Sequence, residues 1–338
     1  MACLFPNIAM TYGKNATLTL SILSVLFVVF LTTYVYKYYG YQIRTLSSWS
    51  RRDTDHVQLT YEYVTRTAKA CESGRNRTSV LIGVVSSADH FQSRAAIRET
   101  WGGTAVKMGF LVVFLLGTPS DQEVQRNVLA EQNAYGDIIQ GDFMDTYRNL
   151  TYKTVMLIRW ARRNCVSVEF VLKIDDDMLL GVWDFAIVLN SLRTSQRSMW
   201  GYLYSGFPYV PVRDVKSKWY VSRLEYASDT YPDFLSGTGY LISGDVISAL
   251  EEFTHDQGFF PLEDVYLTAI LAERANVSRL SLEGFSSKHV PYNQPCSTPR
   301  VVTSHKWRPD ELRRAWTLIV SRLDFDKCLG INKSQMVS

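Results

Sequence analysis

The sequence predicts an α/β domain built on a mostly parallel central sheet flanked by helices, following a single N-terminal transmembrane helix. Three observations carry this. Two continuous apolar runs of strand length, "SVLIGVVSS" (79–87) and "MGFLVVFLLG" (108–117), are rich in Val and end in Gly or Ser. Such runs suit strands covered on both faces. Segments with helical spacing alternate with these runs, and strand, helix, strand in succession implies parallel pairing. Finally, "NATLTLSILSVLFVVFLTTYVY" (15–36) carries no charge between Lys14 and Lys37, and its length suffices to cross a bilayer as a helix.

From the N-terminus, residues 1–14 read as a short tail, cytoplasmic if the folded domain is lumenal, 15–36 as a signal anchor, 37–75 as a polar stem and 76–338 as the folded domain. A cleaved signal peptide is the rival for 15–36, but no A-x-A-like site follows it. Orientation stays open at this level. Lys37, Arg44, Arg51 and Arg52 after the span, against Lys14 before it, favour a cytosolic domain. Glycosylation sequons at Asn76, Asn149, Asn276 and Asn332 favour a lumenal one. So do Cys71, Cys165, Cys296 and Cys328, an even set after the span. Four cysteines permit three pairings, or stay as reduced buried thiols. A net charge of +3 with scattered basic residues argues against nucleic acid as a partner.

Within the domain, residues 120–136 read as a helix, with Ser120 and Glu123 at capping-box spacing and Gly136 as the stop. "DIIQGDF" (137–143) is a short strand, 149–165 a helix, and "VEFVLKI" (168–174) a strand running into Asp175, Asp176 and Asp177. Ligands of parallel sheets bind beyond the carboxyl ends of strands. Adjacent carboxylates resist burial unless a cation sits among them, so the triplet marks a candidate metal site, with a solvated turn as the bland alternative.

Four further stretches bear on chemistry. Arg94 and Arg98, spaced i, i+4 at a helix start, can grip phosphate or be solvated surface residues. Gly237 and Gly239 in "YPDFLSGTGYLIS" allow close backbone approach to a ligand, or mark a plain turn. Glu263 and Asp264 open a helix, where carboxylates also complement the helix dipole. His305 ends a short apolar run before a helix started by Pro309 and Asp310, and near an aspartate site it is a candidate ligand. No Walker lysine loop, G-x-G-x-x-G, H-E-x-x-H or G-x-S-x-G occurs, which weakens kinase, dehydrogenase, zinc-protease and esterase readings.

Taken in order, R-x-x-I-R-x-T-W-G, F-L-L-G, D-x-Y-x-N-L-T-x-K-T, D-D-D, S-G-x-G-Y, E-D-V-Y and V-x-x-H make the chain resemble the β-1,3-galactosyltransferase family, glycosyltransferase family 31, from about residue 79 to 328. Each motif is weak alone; their order is specific. The resemblance implies a GT-A nucleotide-sugar-binding fold in a type II Golgi membrane protein with a lumenal catalytic domain. It implies transfer of a sugar, galactose from UDP-galactose first of all, to a hydroxyl of a glycoprotein or glycolipid in β-1,3 linkage with inversion. N-Acetylglucosaminyl or N-acetylgalactosaminyl transfer is the alternative within the family, and an inactive binding or chaperone homologue the alternative outside it. By the same resemblance Asp177 binds Mn²⁺ bridging the diphosphate, Asp175 lies near the ribose or the metal, and His305 is a further metal ligand. Arg94, Arg98, Asp145, Lys153 and Asp176 belong to the nucleotide pocket, and Asp264 is the catalytic base. Leu235 stands where the family often has Cys, Thr268 replaces a frequent Gly, and "DDDMLL" replaces D-D-D-V-F, which leaves sugar identity open.

Overall fold

The apolar runs become the middle of an eight-stranded sheet. A computed structural model describes residues 27–34, 59–67, 71, 78–323 and 328. The chain divides into two compact units, residues 1–54 and 55–338. In the first, residues 27–34 form a helix with exposed Phe27 and Phe30. The rest of the expected anchor at 15–36 lies outside the described residues, and among the described residues no helix is long and apolar enough to cross a membrane.

In the second unit the elements are β1 (Tyr63–Thr65), β2 (Val80–Val85), α1 (Phe91–Glu99), α2 (Trp101–Lys107), β3 (Leu111–Thr118), α3 (Gln122–Tyr135), β4 (Ile138–Met144), α4 (Leu150–Asn164), β5 (Phe170–Asp175) and β6 (Leu179–Leu180). They continue with α5 (Val182–Leu192), β7 (Ser198–Tyr204), β8 (Phe234–Ser243), α6 (Ile247–Asp256), α7 (Glu263–Val265), β9 (Ser278–Ser281), β10 (Thr303–Ser304) and α8 (Pro309–Ser321). Helix α7 passes directly into a π-helical stretch, Tyr266–Leu271, and closes as Ala272–Arg274.

The sheet order is β1-β4-β3-β2-β5-β8-β7-β9. Strands β4, β3, β2 and β5 run parallel, as the alternation of strands and helices in the sequence predicts. Beyond β5 the sheet is mixed, because β8 pairs antiparallel with both β5 and β7. "FLSGTGYLIS" is therefore a central strand rather than a turn. Val80, Ile82 and Val84 of β2 share one apolar core with Ile97 of α1, Trp101 of α2 and Trp183 of α5. On the other face α4 packs so closely that a Cβ at Gly83 would meet Leu157 side-chain carbons at 2.6 Å. Each of these fully buried aliphatic side chains contributes about 1.5–3 kcal/mol.

Two local features differ from expectation. Residues 59–67, expected in the stem, are tied to the domain: β1 pairs with β4, and the Leu59 carbonyl accepts a short hydrogen bond from Arg159 Nη1 at 2.5 Å. The alternating "YEYVT" carries the period of two that a strand needs. The N-cap of α3 is Asp121 rather than Ser120, since Asp121 Oδ1 accepts from the Glu123 amide at 2.7 Å. Gly136 does close that helix, at φ 63°, where a Cβ is disfavoured. The cysteines pair as Cys71–Cys165 and Cys296–Cys328.

Candidate active site

Strand β2 is the switch point of the sheet. The chain builds β3 and β4 on one side of it and then places β5 on the other, with Val85 opposite Asp175. Such a switch leaves a crevice beyond the carboxyl ends of the two strands. A cavity of about 770 Å³ opens there, walled by Asp175, Asp177, Gly237, Glu263, Asp264 and His305. Its far side is aromatic, with Tyr147, Tyr204, Trp219 and Tyr231. The size suits a drug-sized or sugar-nucleotide ligand.

The three aspartates turn three ways. Asp175 Oδ1 pairs with Lys173 Nζ at 2.7 Å, and burial pushes its carboxyl up to about 7 against the pull of that lysine. Asp176 Oδ2 accepts from Ser86 Oγ at 2.6 Å and meets His90 Nδ1 at 2.9 Å. Asp177 Oδ2 lies 3.1 Å from His305 Nε2, and the Asp177 carbonyl accepts from the Trp307 amide. Among the described residues no three His, Cys, Asp or Glu side chains come together as a metal-holding group. The expected ligand set of Asp175, Asp177 and His305 is thus reduced to Asp177 and His305, because Lys173 holds Asp175. That pair still fits a hard divalent cation that takes most of its shell from substrate phosphates and water. His305 Nδ1 donates to the Ser287 carbonyl at 3.0 Å, the outer hydrogen bond that fixes a ligating imidazole and leaves Nε2 facing inward.

Asp264 lines the same cavity. Its Oδ1 accepts from the Val265 amide at 2.9 Å, and burial first, then the adjacent Glu263 charge, push its carboxyl up to about 6. A Cβ at Gly237 would come within 2.9 Å of Glu263 Oε1 and 3.2 Å of Asp264 Oδ2, so only glycine admits both carboxylates here. A half-buried carboxylate, ionised at neutral pH yet basic, suits proton abstraction.

The remaining expected pocket residues lie behind the wall. Arg94 is fully buried and uses every guanidinium N–H: on Glu131, on Ser86 Oγ, and on the carbonyls of Ser87 and Ala88. Arg98 binds Asp137 through Nε and Nη2, and Glu131 through Nη1. Neither offers a free face to phosphate, so the expected phosphate grip is replaced by an internal ion-pair cluster. Lys153 Nζ joins Asp145 Oδ1 and the Ser86 carbonyl, both at 2.7 Å. Asp145 Oδ2 accepts from the amides of Gly117 and Ala88. These residues shape the Ser86–Ala88 turn that in turn holds Asp176. Arg94→Met is expected to lower folding stability by about 3–5 kcal/mol, the cost of orphaning part of a buried ion pair. Chemical denaturation measures it; unchanged stability with lost UDP affinity would restore the phosphate reading.

Sequence reasoning passed over Lys173 and the pocket aromatics. Lys173 carried a signal, a lone cation inside the apolar run "FVLKI". Of the aromatics, Trp219 and Tyr231 come from the 205–233 connection, Tyr204 ends β7, and Tyr147 sits inside the D-x-Y motif without being singled out there.

Comparison with known proteins identifies the family. A family model described as Galactosyltransferase matches residues 92–283. The chain is 33% identical over 266 residues to β-1,3-galactosyltransferase 1 of Mus musculus, covering 78% of this chain and 79% of that protein. It is 38% identical over 240 residues to β-1,3-galactosyltransferase 5 of Gorilla gorilla gorilla, covering 69% and 78%. The solved galactosyltransferase LgtC shares 10% identity and a TM-score of 0.35 over 71% of this chain and 96% of that one, too slight a likeness to add weight. The α/β fold and its family match together define a glycosyltransferase. More narrowly, the chain belongs to the galactosyltransferase family, which implies a UDP-sugar donor and a glycan acceptor.

Proposed function

We propose that the chain transfers galactose from UDP-galactose to a sugar hydroxyl of a glycoprotein or glycolipid, in β-1,3 linkage with inversion. The observation that carries this is the placement of Asp264 in the same cavity as the Asp177–His305 pair, beside the close approach at Gly237. Asp264 takes the proton of the acceptor hydroxyl as its oxygen forms a bond to the anomeric carbon. The bond from that carbon to the diphosphate oxygen breaks, and its electron pair leaves with UDP. Inversion follows from attack opposite the leaving group. Asp177 and His305 would hold Mn²⁺, which when bound offsets charge on the diphosphate as a Lewis acid. The aromatic wall suits stacking against sugar rings.

The protein acts in this reading as a single-pass type II protein of the Golgi membrane, with residues 76–338 lumenal. Of its sequons, Asn76 and Asn332 lie outside the described residues. The Asn149 amide nitrogen donates to the Met144 carbonyl at 2.9 Å, and Thr151 of the same sequon is buried. Asn276 is exposed on a turn at φ 52° and is the better acceptor.

The test is a secreted fragment, residues 53–338, assayed against UDP-galactose, UDP-GlcNAc and UDP-GalNAc with simple glycoside acceptors. UDP-galactose is expected to be preferred, and an N-glycosidase to reduce the fragment's mass through Asn276. Preference for an N-acetylated donor would move the protein to the rival chemistry; no transfer from any donor would make it a binding homologue.

A further inference from the structure

Glu263 takes no part in the transfer outlined above, yet it is held from three directions. Its side chain is 5% exposed. Oε1 meets Lys173 Nζ at 2.8 Å, and Oε2 accepts from Thr154 Oγ1 and Tyr240 Oη, each at 3.0 Å. Lys173, itself fully buried, also binds Asp175 and donates to the Gly237 carbonyl. Side chains from α4, β5 and β8 therefore converge on one carboxylate at the start of α7. A residue needed only to complement a helix dipole works from the surface and needs no buried lysine. Stability does not account for the arrangement either, because desolvating two charges offsets most of their attraction.

We propose that Glu263 is the positioning residue of the proton acceptor: locked by Lys173, Thr154 and Tyr240, it fixes Asp264 against Gly237 and holds a carboxylate beside it. The inference rests on Asp264 being the base. Its neighbour's side chain cannot swing away, since all of its partners sit on the sheet or on α4. The helix beyond is π-helical from Tyr266, a departure from regular winding that recurs at functional sites.

The titratable groups around Asp264 come from several elements, and Asp175 of β5, pushed up to about 7 by burial, lines the same cavity and shares Lys173. Glu263 lies on its own helix, Lys173 on β5, Tyr147 on the turn before α4, Tyr231 in the connection before β8, and Tyr240 on β8. Burial pushes all three tyrosines up, so they stay neutral across the working range. Lys173 is pushed up and stays charged. The Glu263 charge raises Asp264 and the Lys173 charge lowers it.

The signs of two substitutions are therefore opposite. Glu263→Gln removes the charge that raises Asp264, so the acid limb of kcat/KM should move to lower pH, by about one unit. A weaker base also lowers the plateau kcat, by about tenfold, with the donor KM little changed. Lys173→Met removes the opposing charge and should move the limb to higher pH. Both are measured on the full chain in detergent with UDP-galactose as donor, alongside Asp264→Asn. A Glu263→Gln protein with a lower melting temperature and an unmoved limb would overturn the proposal and leave Glu263 a packing residue. If Lys173→Met does not fold, Glu263→Gln decides alone: its carboxamide oxygen can still accept from Thr154 and Tyr240, while its NH₂ replaces the oxygen that faces Lys173, a loss the melting temperature reads. Wild-type turnover in Asp264→Asn would overturn the base and this inference together. An inactive Asp264→Asn with an unmoved Glu263→Gln limb would overturn this inference only.

Discussion

Asp264→Asn is expected to lower sugar transfer by about 10² to 10⁴ while leaving UDP affinity nearly unchanged. Asparagine keeps the shape of the side chain and can still accept from the Val265 amide, the 2.9 Å bond that Asp264 makes at the start of α7. It cannot accept a proton from an acceptor hydroxyl. The alternative, a residue that merely caps α7, forecasts the reverse, since Asn is itself a good cap and its loss of stability should stay within about 1 kcal/mol. UDP affinity is the control, because the proposed cation site is formed by Asp177 and His305 and not by Asp264. Turnover, UDP binding and thermal stability measured on one preparation separate the two forecasts. A stable variant turning over at the wild-type rate would eliminate Asp264 as the base.

What could be read from the chain, and what could not, follows from how far apart the interacting residues lie. The parallel strands β2 and β3 were legible because burial on both faces leaves an unbroken apolar run in sequence, and β5 because only Lys173 interrupts its run. Strand β8 was not, because Gly237 and Gly239 disguise it. The close approach those glycines suggested is nonetheless real at Gly237, although the neighbours are Glu263 and Asp264 as well as any ligand. Arg94 and Arg98 illustrate the harder limit. An i, i+4 arginine pair looks the same whether it faces phosphate or a buried acid. Its partners Glu131 and Asp137 lie 33 to 39 residues further on, with nothing local to announce them. The aspartate triplet marked the site, but its division among Lys173, Ser86 with His90, and His305 depends on three separate elements meeting at the switch point.

Removal of divalent cations is expected to abolish transfer and UDP binding together, and added Mn²⁺ to restore both. Asp175, Asp177, Glu263 and Asp264 all face the cavity, while the buried Lys173 is already committed to two of them. Arg94 and Arg98, the cations that could have received a diphosphate, are spent on Glu131 and Asp137. Lys218 and Lys306 remain on the wall, too few to offset four carboxylates and a diphosphate. Two unit charges of like sign 4 Å apart repel by about 4 kcal/mol near a protein surface, so an unaccompanied diphosphate would bind poorly. Asp177 and His305, 3.1 Å apart with the imidazole fixed through Ser287, form the place where a cation can enter without disturbing the Lys173 cluster. Asp177→Asn and His305→Ala should each weaken UDP binding by about tenfold or more in the presence of Mn²⁺. Neither should change UDP binding when a chelator is present. Calorimetric titration with UDP, with and without Mn²⁺, reads this independently of turnover. Full activity in excess chelator would remove the cation from the mechanism and reduce Asp177–His305 to a simple ion pair.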